Sequence, residues 1–329
     1  MTLNIERVIA KELDVRERQI TAAVELLDGG ATVPFISRYR KEITGGLDDT
    51  QLRKLEERLG YLRELEVRRE AVLSSILEQG KLTPELEIAI IAAETKVRLE
   101  DLYLPYKQKR RTKAQIALEA GIEPLADSLI SDPCLEPFDE ALAYINKDEK
   151  FKTAFEDAKG VLDGAKYILM ERFAEDAELL QSIRDFMSHN TVIFSNVVSG
   201  KEKDAAKYRD YFDLRDKFQG IPSHRALAML RGRREGLLQL RIDVVVPDDQ
   251  VHPCISMIGN HFEISHQDRA ADDWLAEVVS WTWRVKLQLH QETELMSAMR
   301  AAAEEAAIEV FALNIKDLLL AAPAGQTAT

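Results

Sequence analysis

The sequence predicts a mostly α fold: an elongated multihelical architecture with a helix-turn-helix-like unit, one very long C-terminal helix and at most a small β element near 191–197 and 237–246. Three observations carry this. Leucines and other aliphatics recur at three- and four-residue steps from Asp48 to about Gln79 (Leu52, Leu55, Leu59, Leu62, Leu65, Val72, Ile76), the signature of one buried helical stripe. The charged share is 31% and the aromatic share only 7%, which suits long helices with solvated faces better than a sandwich or barrel. Helix starts and stops, read from Asp, Thr, Pro and Gly, punctuate almost the whole chain. At 329 residues it is too long for one compact helical domain, so two or three packed units are expected.

Taken in order, residues 3–30 read as two short helices, with Leu13, Ile20, Val24 and Leu27 on one face and a stop at Gly29-Gly30. Asp48 opens the long helix, whose remaining positions are dense in Glu and Arg at helical spacing, coiled-coil-like over part of its length. Thr83-Pro84-Glu85 starts another helix, and residues 97–104 form an amphipathic turn ending at Pro105. Thr112 caps a helix through Ala120, Gly121 breaks it and Glu123-Pro124 opens the next, the order that a helix-turn-helix requires. Residues 150–188 read as helical, interrupted at Gly160 and Gly164. Thr191–Phe194 is β-branched and reads as a short strand or the ragged end of a helix, and Leu237–Val246 alternates as a strand does. A helix is expected over Lys203–Phe218, another from Ile221-Pro222-Ser223 through Arg231, a loop over 247–266, and a helix from about Asp268 to Ala321. The predicted divisions are thus 1–60, a helix-turn-helix-like 60–130, a mixed 131–266, a long helix 267–322, and a linker or truncation point at 323–329.

Composition excludes several classes. Cys134 and Cys254 cannot form a disulfide framework, the N-terminus opens directly into polar amphipathic sequence, and no window approaches the ~20 apolar residues of a membrane span. A cytoplasmic protein with no membrane partner is expected. The net charge of −13 argues against nucleic-acid binding by the whole surface, so the question becomes where positive charge is concentrated.

Five blocks resemble the Tex family: Pro34–Glu42 (PFISRYRKE), Leu99–Asp127 (LEDLYLPYKQKRRTKAQIALEAGIEPLAD), Lys207–Phe212 (KYRDYF), Ile221–Leu230 (IPSHRALAML) and Ala306–Gly325 (AIEVFALNIKDLLLAAPAG). This resemblance implies a bacterial transcription-accessory protein, related to a eukaryotic elongation factor and histone chaperone. It further implies that the chain is the N-terminal part of a longer protein, without the RNase H-like and helix-hairpin-helix domains or the C-terminal OB-fold RNA-binding domain to which the family's nucleic-acid affinity is mainly attributed. The expected function is a non-catalytic module that contributes to nucleic-acid binding and scaffolds the other domains. The alternative is a protein-interaction scaffold that docks on the transcription machinery.

The candidate residues are basic. Lys107, Lys109, Arg110, Arg111 and Lys113 form a run with no acid among them, leading into a helix N-terminus, with Tyr103 and Tyr106 alongside as possible base platforms. Arg38, Arg40 and Lys41 either extend that surface or pair with acids of the long helix, the commoner use of such arginines. Arg225, Arg233 and Arg234, offset locally only by Glu235, form a third patch. Contact would be to RNA or DNA backbone, without sequence specificity. A contiguous positive face near Lys109 and Arg111 would point to nucleic acid; salt-bridged basics beside an exposed apolar groove would point to a protein partner. His252, Cys254, His261 and His266 are too irregularly spaced for a zinc site. No nucleophile, phosphate-loop or metalloprotease pattern is present, so neither catalysis nor a cofactor or metal is expected.

Overall fold

The computed structural model describes residues 4–108, 110–146, 150–247 and 249–321. They fall into two compact units, within Met1–Gln108 and within Lys109–Thr329. The stretch 60–130 therefore lies partly in each.

The first unit is organised by one helix. It comprises α1 (Ile5–Glu12), α2 (Glu17–Asp28), α3 (Val33–Tyr39), α4 (Asp49–Glu78), α5 (Pro84–Ala92) and α6 (Lys96–Tyr103), the last followed by a 3-10 turn over Leu104–Tyr106. Asp48 starts α4 through a capping box with Gln51, which satisfies two amides that helix geometry leaves unpaired. The predicted leucine stripe is the buried seam of α4. The gap that the sequence leaves between Leu65 and Val72 is filled by Arg69, which is only 2% exposed. Its guanidinium donates to the carbonyls of Ile90 (3.1 Å) and Ala93 (2.8 Å) and ion-pairs with Glu66. Those carbonyls belong to the end of α5, where a helix has no partners of its own. Around the seam, arginines of α4 make two-pronged pairs with its neighbours: Arg58 with Glu12 of α1, Arg63 with Asp28 of α2, and Arg68 with Glu100 of α6. Half-exposed pairs of this kind add little stability each, but the planar fork fixes orientation.

The second unit holds α7 (Lys113–Glu119), α8 (Glu123–Ser131), α9 (Pro137–Ala141), α10 (Lys152–Phe155), α11 (Ala158–Ala174), α12 (Ala177–Asn190), β1 (Thr191–Val197), β2 (Leu214–Lys217), α13 (Ser223–Arg234), β3 (Leu238–Val244), α14 (Pro253–His261), α15 (Asp272–Thr282) and α16 (Gln288–Leu320). A π-helical turn over Trp283–Leu287 joins α15 to α16 into one continuous 49-residue helix. The antiparallel sheet has the order β2-β1-β3.

Three expectations need correction. Gly160 and Gly164 do not interrupt a helix: α11 runs through both, and at each a neighbour occupies the place where a side chain would go. A Cβ on Gly164 would lie 2.9 Å from the Phe155 ring and 3.0 Å from Ile122 Cδ1. The helix expected over Lys203–Phe218 is instead a 3-10 segment (Ala206–Tyr211) and strand β2, separated by Asp213 at φ 85°. Residues 214–217 pair with β1, and Arg215 covers the Phe194 ring at 5.0 Å, a tertiary contact that overrides local helical preference. The loop expected over 247–266 contains α14, started by Pro253 and by the His252 ring, whose Nδ1 accepts from the Cys254 amide.

Two expected outcomes follow. Arg69→Ala leaves the end of α5 without donors and lowers stability by about 2–4 kcal/mol in urea unfolding, whereas Arg68→Ala costs less than about 1 kcal/mol. Asp272, at the start of α15, accepts from Arg269 and from the amides of Arg269 and Gln267, which hold its carboxyl at about 2. A value depressed on folding contributes stability that is present above about pH 4 and lost as pH falls towards 2. The melting-temperature gap between wild type and Asp272→Asn is therefore expected to be full at neutral pH and to close over that acidic window.

Candidate nucleic-acid and docking surfaces

Two of the described cations of the basic run, Arg111 and Lys113, are engaged by other side chains. Lys109 lies outside the described residues. Lys107, in the first unit, and Arg110, in the second, are exposed, and among the described residues neither is paired with a carboxylate. Arg111 is bound to Glu119 at 2.6 Å, and the same carboxylate takes Lys150 at 3.2 Å; these bonds hold Glu119 below the usual carboxylate range. Lys113 donates to the Tyr167 hydroxyl at 2.8 Å and lies over that ring at 4.8 Å, a bond that raises its own pKa. The amides expected to receive phosphate at the start of α7 are partly consumed, since Thr112 and Gln115 form a capping box. In the first unit Tyr103 is also occupied: its hydroxyl meets Ser75 at 3.1 Å and Arg68 covers its ring at 5.3 Å.

The cluster on α3 is arranged differently. Arg38, Arg40 and Lys41 are all exposed, and among the described residues none pairs with an acid, of α4 or elsewhere. The α4 arginines Arg58, Arg63 and Arg68 instead pair outward with Glu12, Asp28 and Glu100. Phe35 and Tyr39 stand on the same helix with ring centroids 5.4 Å apart, Arg40 lies over Phe35 at 5.2 Å, and Tyr39 is 67% exposed. Cations beside open aromatic faces suit stacked bases and phosphates, and equally suit a protein hot spot.

The third patch is split by pairing. Arg225 is bound to Asp216 at 3.0 Å. Arg233 and Arg234, in the last turn of α13, instead line a cleft of about 510 Å³ together with Arg300 of α16. Arg300 was invisible to sequence reasoning, since it stands alone in an alanine-rich stretch remote from Arg234.

Beyond Ala307 every position of the long helix is exposed among the described residues. Ile308, Val310, Phe311, Leu313, Ile315, Leu318, Leu319 and Leu320 are 40–80% exposed. Ile308, Phe311, Ile315 and Leu318 share one stripe by helical spacing, with Val310, Leu313 and Leu320 on the other side, and exposed apolar surface of this extent marks an interaction surface. The histidines do not converge, and among the described residues no group of His, Cys, Asp and Glu could hold a metal. His252 bonds Asp243 at 3.0 Å, His261 bonds Asp176 at 3.0 Å and His266 bonds Asp273 at 3.1 Å. The Cys254 thiol is pushed up to about 12 by burial, which makes it unreactive. No described helix is long and apolar enough to cross a membrane.

Comparison with known proteins agrees with these two units. Residues 3–77 match the Tex-like protein N-terminal domain and residues 132–311 match the Tex central region-like family. The chain belongs to the Tex family. It is 57% identical over 326 residues to protein YhgF of Escherichia coli K12, covering 98% of this chain and 42% of that protein. It is 53% identical over 324 residues to protein tex of Bordetella pertussis, covering 96% of this chain and 40% of that one. The transcriptional accessory protein Tex of Neisseria gonorrhoeae is 51% identical over 331 residues, covering 99% and 42% respectively. The chain thus spans about two-fifths of the length of the relatives it matches.

Proposed function

We propose that this chain is a non-catalytic, cytoplasmic scaffold of a transcription-accessory protein, and that the second half of α16 is the surface on which further parts of such a protein dock. The observation that carries this reading is the uncovered apolar surface from Ile308 to Leu320. It stands at the end of a helix whose earlier turns bury Leu275, Val279, Trp283, Leu287, Leu295 and Met299. The salt-bridged Arg111 and the tyrosine-bound Lys113 support the same reading, since they reduce the positive charge available at the basic run. The similarity to the transcriptional accessory protein Tex of Neisseria gonorrhoeae supports the transcriptional setting.

Hydrogen–deuterium exchange tests it. Amides of residues 305–320 are expected to exchange fast in this chain and markedly more slowly in a chain extended to the length of its relatives. Equal, fast exchange in both would remove the docking role.

A second reading is sequence-independent nucleic-acid contact through α3, favoured by its unpaired cations and open Tyr39. Fluorescence anisotropy with labelled single-stranded RNA and duplex DNA, across a salt series, separates the candidate surfaces. The combined Arg38→Glu, Arg40→Glu, Lys41→Glu variant is expected to bind at least about ten-fold more weakly and with a shallower salt dependence. The Arg110→Glu, Arg111→Glu variant is expected to lose less, because Arg111 is already neutralised by Glu119.

A further inference from the structure

We infer that the cleft between α13 and α16 in the second unit is a phosphate-binding site for single-stranded polynucleotide, with Arg233, Arg234 and Arg300 as its cationic wall. It shares a ligand class with the α3 reading but none of its residues, and it stands or falls separately.

Three guanidinium groups from two helices line one concavity, and none has a carboxylate partner among the described residues. Two nearby acids are engaged elsewhere. Glu235, adjacent to Arg234 in the chain, is bound to Lys207 at 2.8 Å, which holds its carboxyl below the usual range. Glu292, the acid in the cleft lining, accepts from the Ile242 amide of β3 at 3.2 Å. The cleft therefore carries a local excess of positive charge in a chain whose net charge is −13. Arginines in the last turn of a helix also offset its dipole, and that accounts for Arg233 and Arg234. It does not account for Arg300, which reaches the same cleft from the middle of a different helix.

The shape selects the ligand. Guanidinium forks match phosphate oxygens two at a time. Its buried lining is apolar (Leu230, Met296 and the half-buried Leu240), and exposed Leu289, Thr293 and Ser297 complete the lining. About 510 Å³ is in the range that receives a small organic group. A nucleotide unit, with its phosphate on the arginines and its sugar or base against the apolar lining, fits these surfaces. A duplex, with its bases turned inward, presents only backbone. An acidic peptide would supply the charge but has no rigid apolar plane for that lining.

The test is anisotropy of fluorescein-labelled oligouridylate with the whole chain across a salt series, beside the Arg233→Ala, Arg234→Ala, Arg300→Ala variant. Circular dichroism serves as a check that these surface changes leave the fold intact. Affinity is expected to fall at least about ten-fold, and the slope of log K against log salt to become shallower by about 1–2, since each single-strand phosphate contact contributes about 0.7. The triple Lys variant is expected to keep the slope but bind more weakly, having charge without the fork. Neither inorganic phosphate at millimolar concentration nor oligoglutamate of equal charge is expected to displace the RNA. Wild-type and Ala-variant curves that superimpose, or no wild-type binding at low salt, would overturn the proposal. Displacement by oligoglutamate would assign the cleft to an acidic protein, and displacement by phosphate would assign it to a free anion. Failure here leaves the exchange behaviour of residues 305–320, and hence the scaffold reading, untouched.

Discussion

Most of a helix's stability in a folded protein comes from packing one of its faces, and the second unit is built around that constraint for its 49-residue helix. Its first part is covered on both sides of the π turn. Leu275, Val278 and Val279 are buried before the turn, and Leu295, Met296, Met299 and Ala303 after it. Elements α13, β3 and α12 pack on α16 over this stretch. Past Ala307 the cover ends while the apolar residues continue. Alanines at 301, 302, 303, 306 and 307 favour the helix intrinsically, so it can continue into a region where packing no longer supports it. The scaffold reading thus follows from a mismatch between how far the helix extends and how far its own unit covers it.

The covered part depends on a polar node that no single element could provide. Asp243 on β3 accepts from His252 at 3.0 Å, from Arg241 at 3.2 Å and from Gln288 at 3.3 Å, so one carboxylate joins the sheet, the start of α14 and the start of α16. Burial acts to raise its pKa, but the bonds from His252 and the Val244 amide outweigh this and hold it below the usual range. The His252 ring has its Nδ1 occupied by the Cys254 amide, which directs the Nε2 proton to Asp243, and it stacks on Trp283 at 4.7 Å. Trp283 begins the π turn. An extra residue in that turn shifts the helical register, which allows one apolar stripe to follow a different set of neighbours before and after it.

Legibility in the sequence tracked how local each cause was. The α4 stripe, the Asp48 cap, the Thr112 cap with the Gly121 stop at φ 79°, and the alternation that becomes β3 are all determined within a few residues, and all were readable. Strand β2 and helix α14 were not. The first is held by Phe194 and β1, and the second by an imidazole whose other nitrogen is fixed by a distant aspartate. Arg69 shows the same limit inside a correctly read helix: its place in the seam makes sense only once the carbonyl end of α5 is seen against it. For the candidate surfaces, sequence could find clusters of cations but not their partners. Glu119, Tyr167 and Asp216 take up Arg111, Lys113 and Arg225 through folding, whereas Arg38, Arg40 and Lys41 keep their charge exposed.

That distinction gives the acidic composition its meaning. With 57 acidic residues against 44 basic ones, an exposed arginine in this chain has abundant carboxylates to meet, and pairing is the expected fate of most of them. Arg58, Arg63, Arg68, Arg172 and Arg184 follow it. The α3 cluster and the α13–α16 cleft depart from it; at the cleft, Glu235 and Glu292 are committed to Lys207 and to the Ile242 amide. An unpaired cation costs little at a solvated surface, so stability gives no reason to gather three guanidinium groups around one cleft while Lys207 holds the neighbouring carboxylate. Overall negative charge then has a second consequence: it repels polyanions from most of the surface, and clusters of unpaired cations are where that repulsion is locally offset.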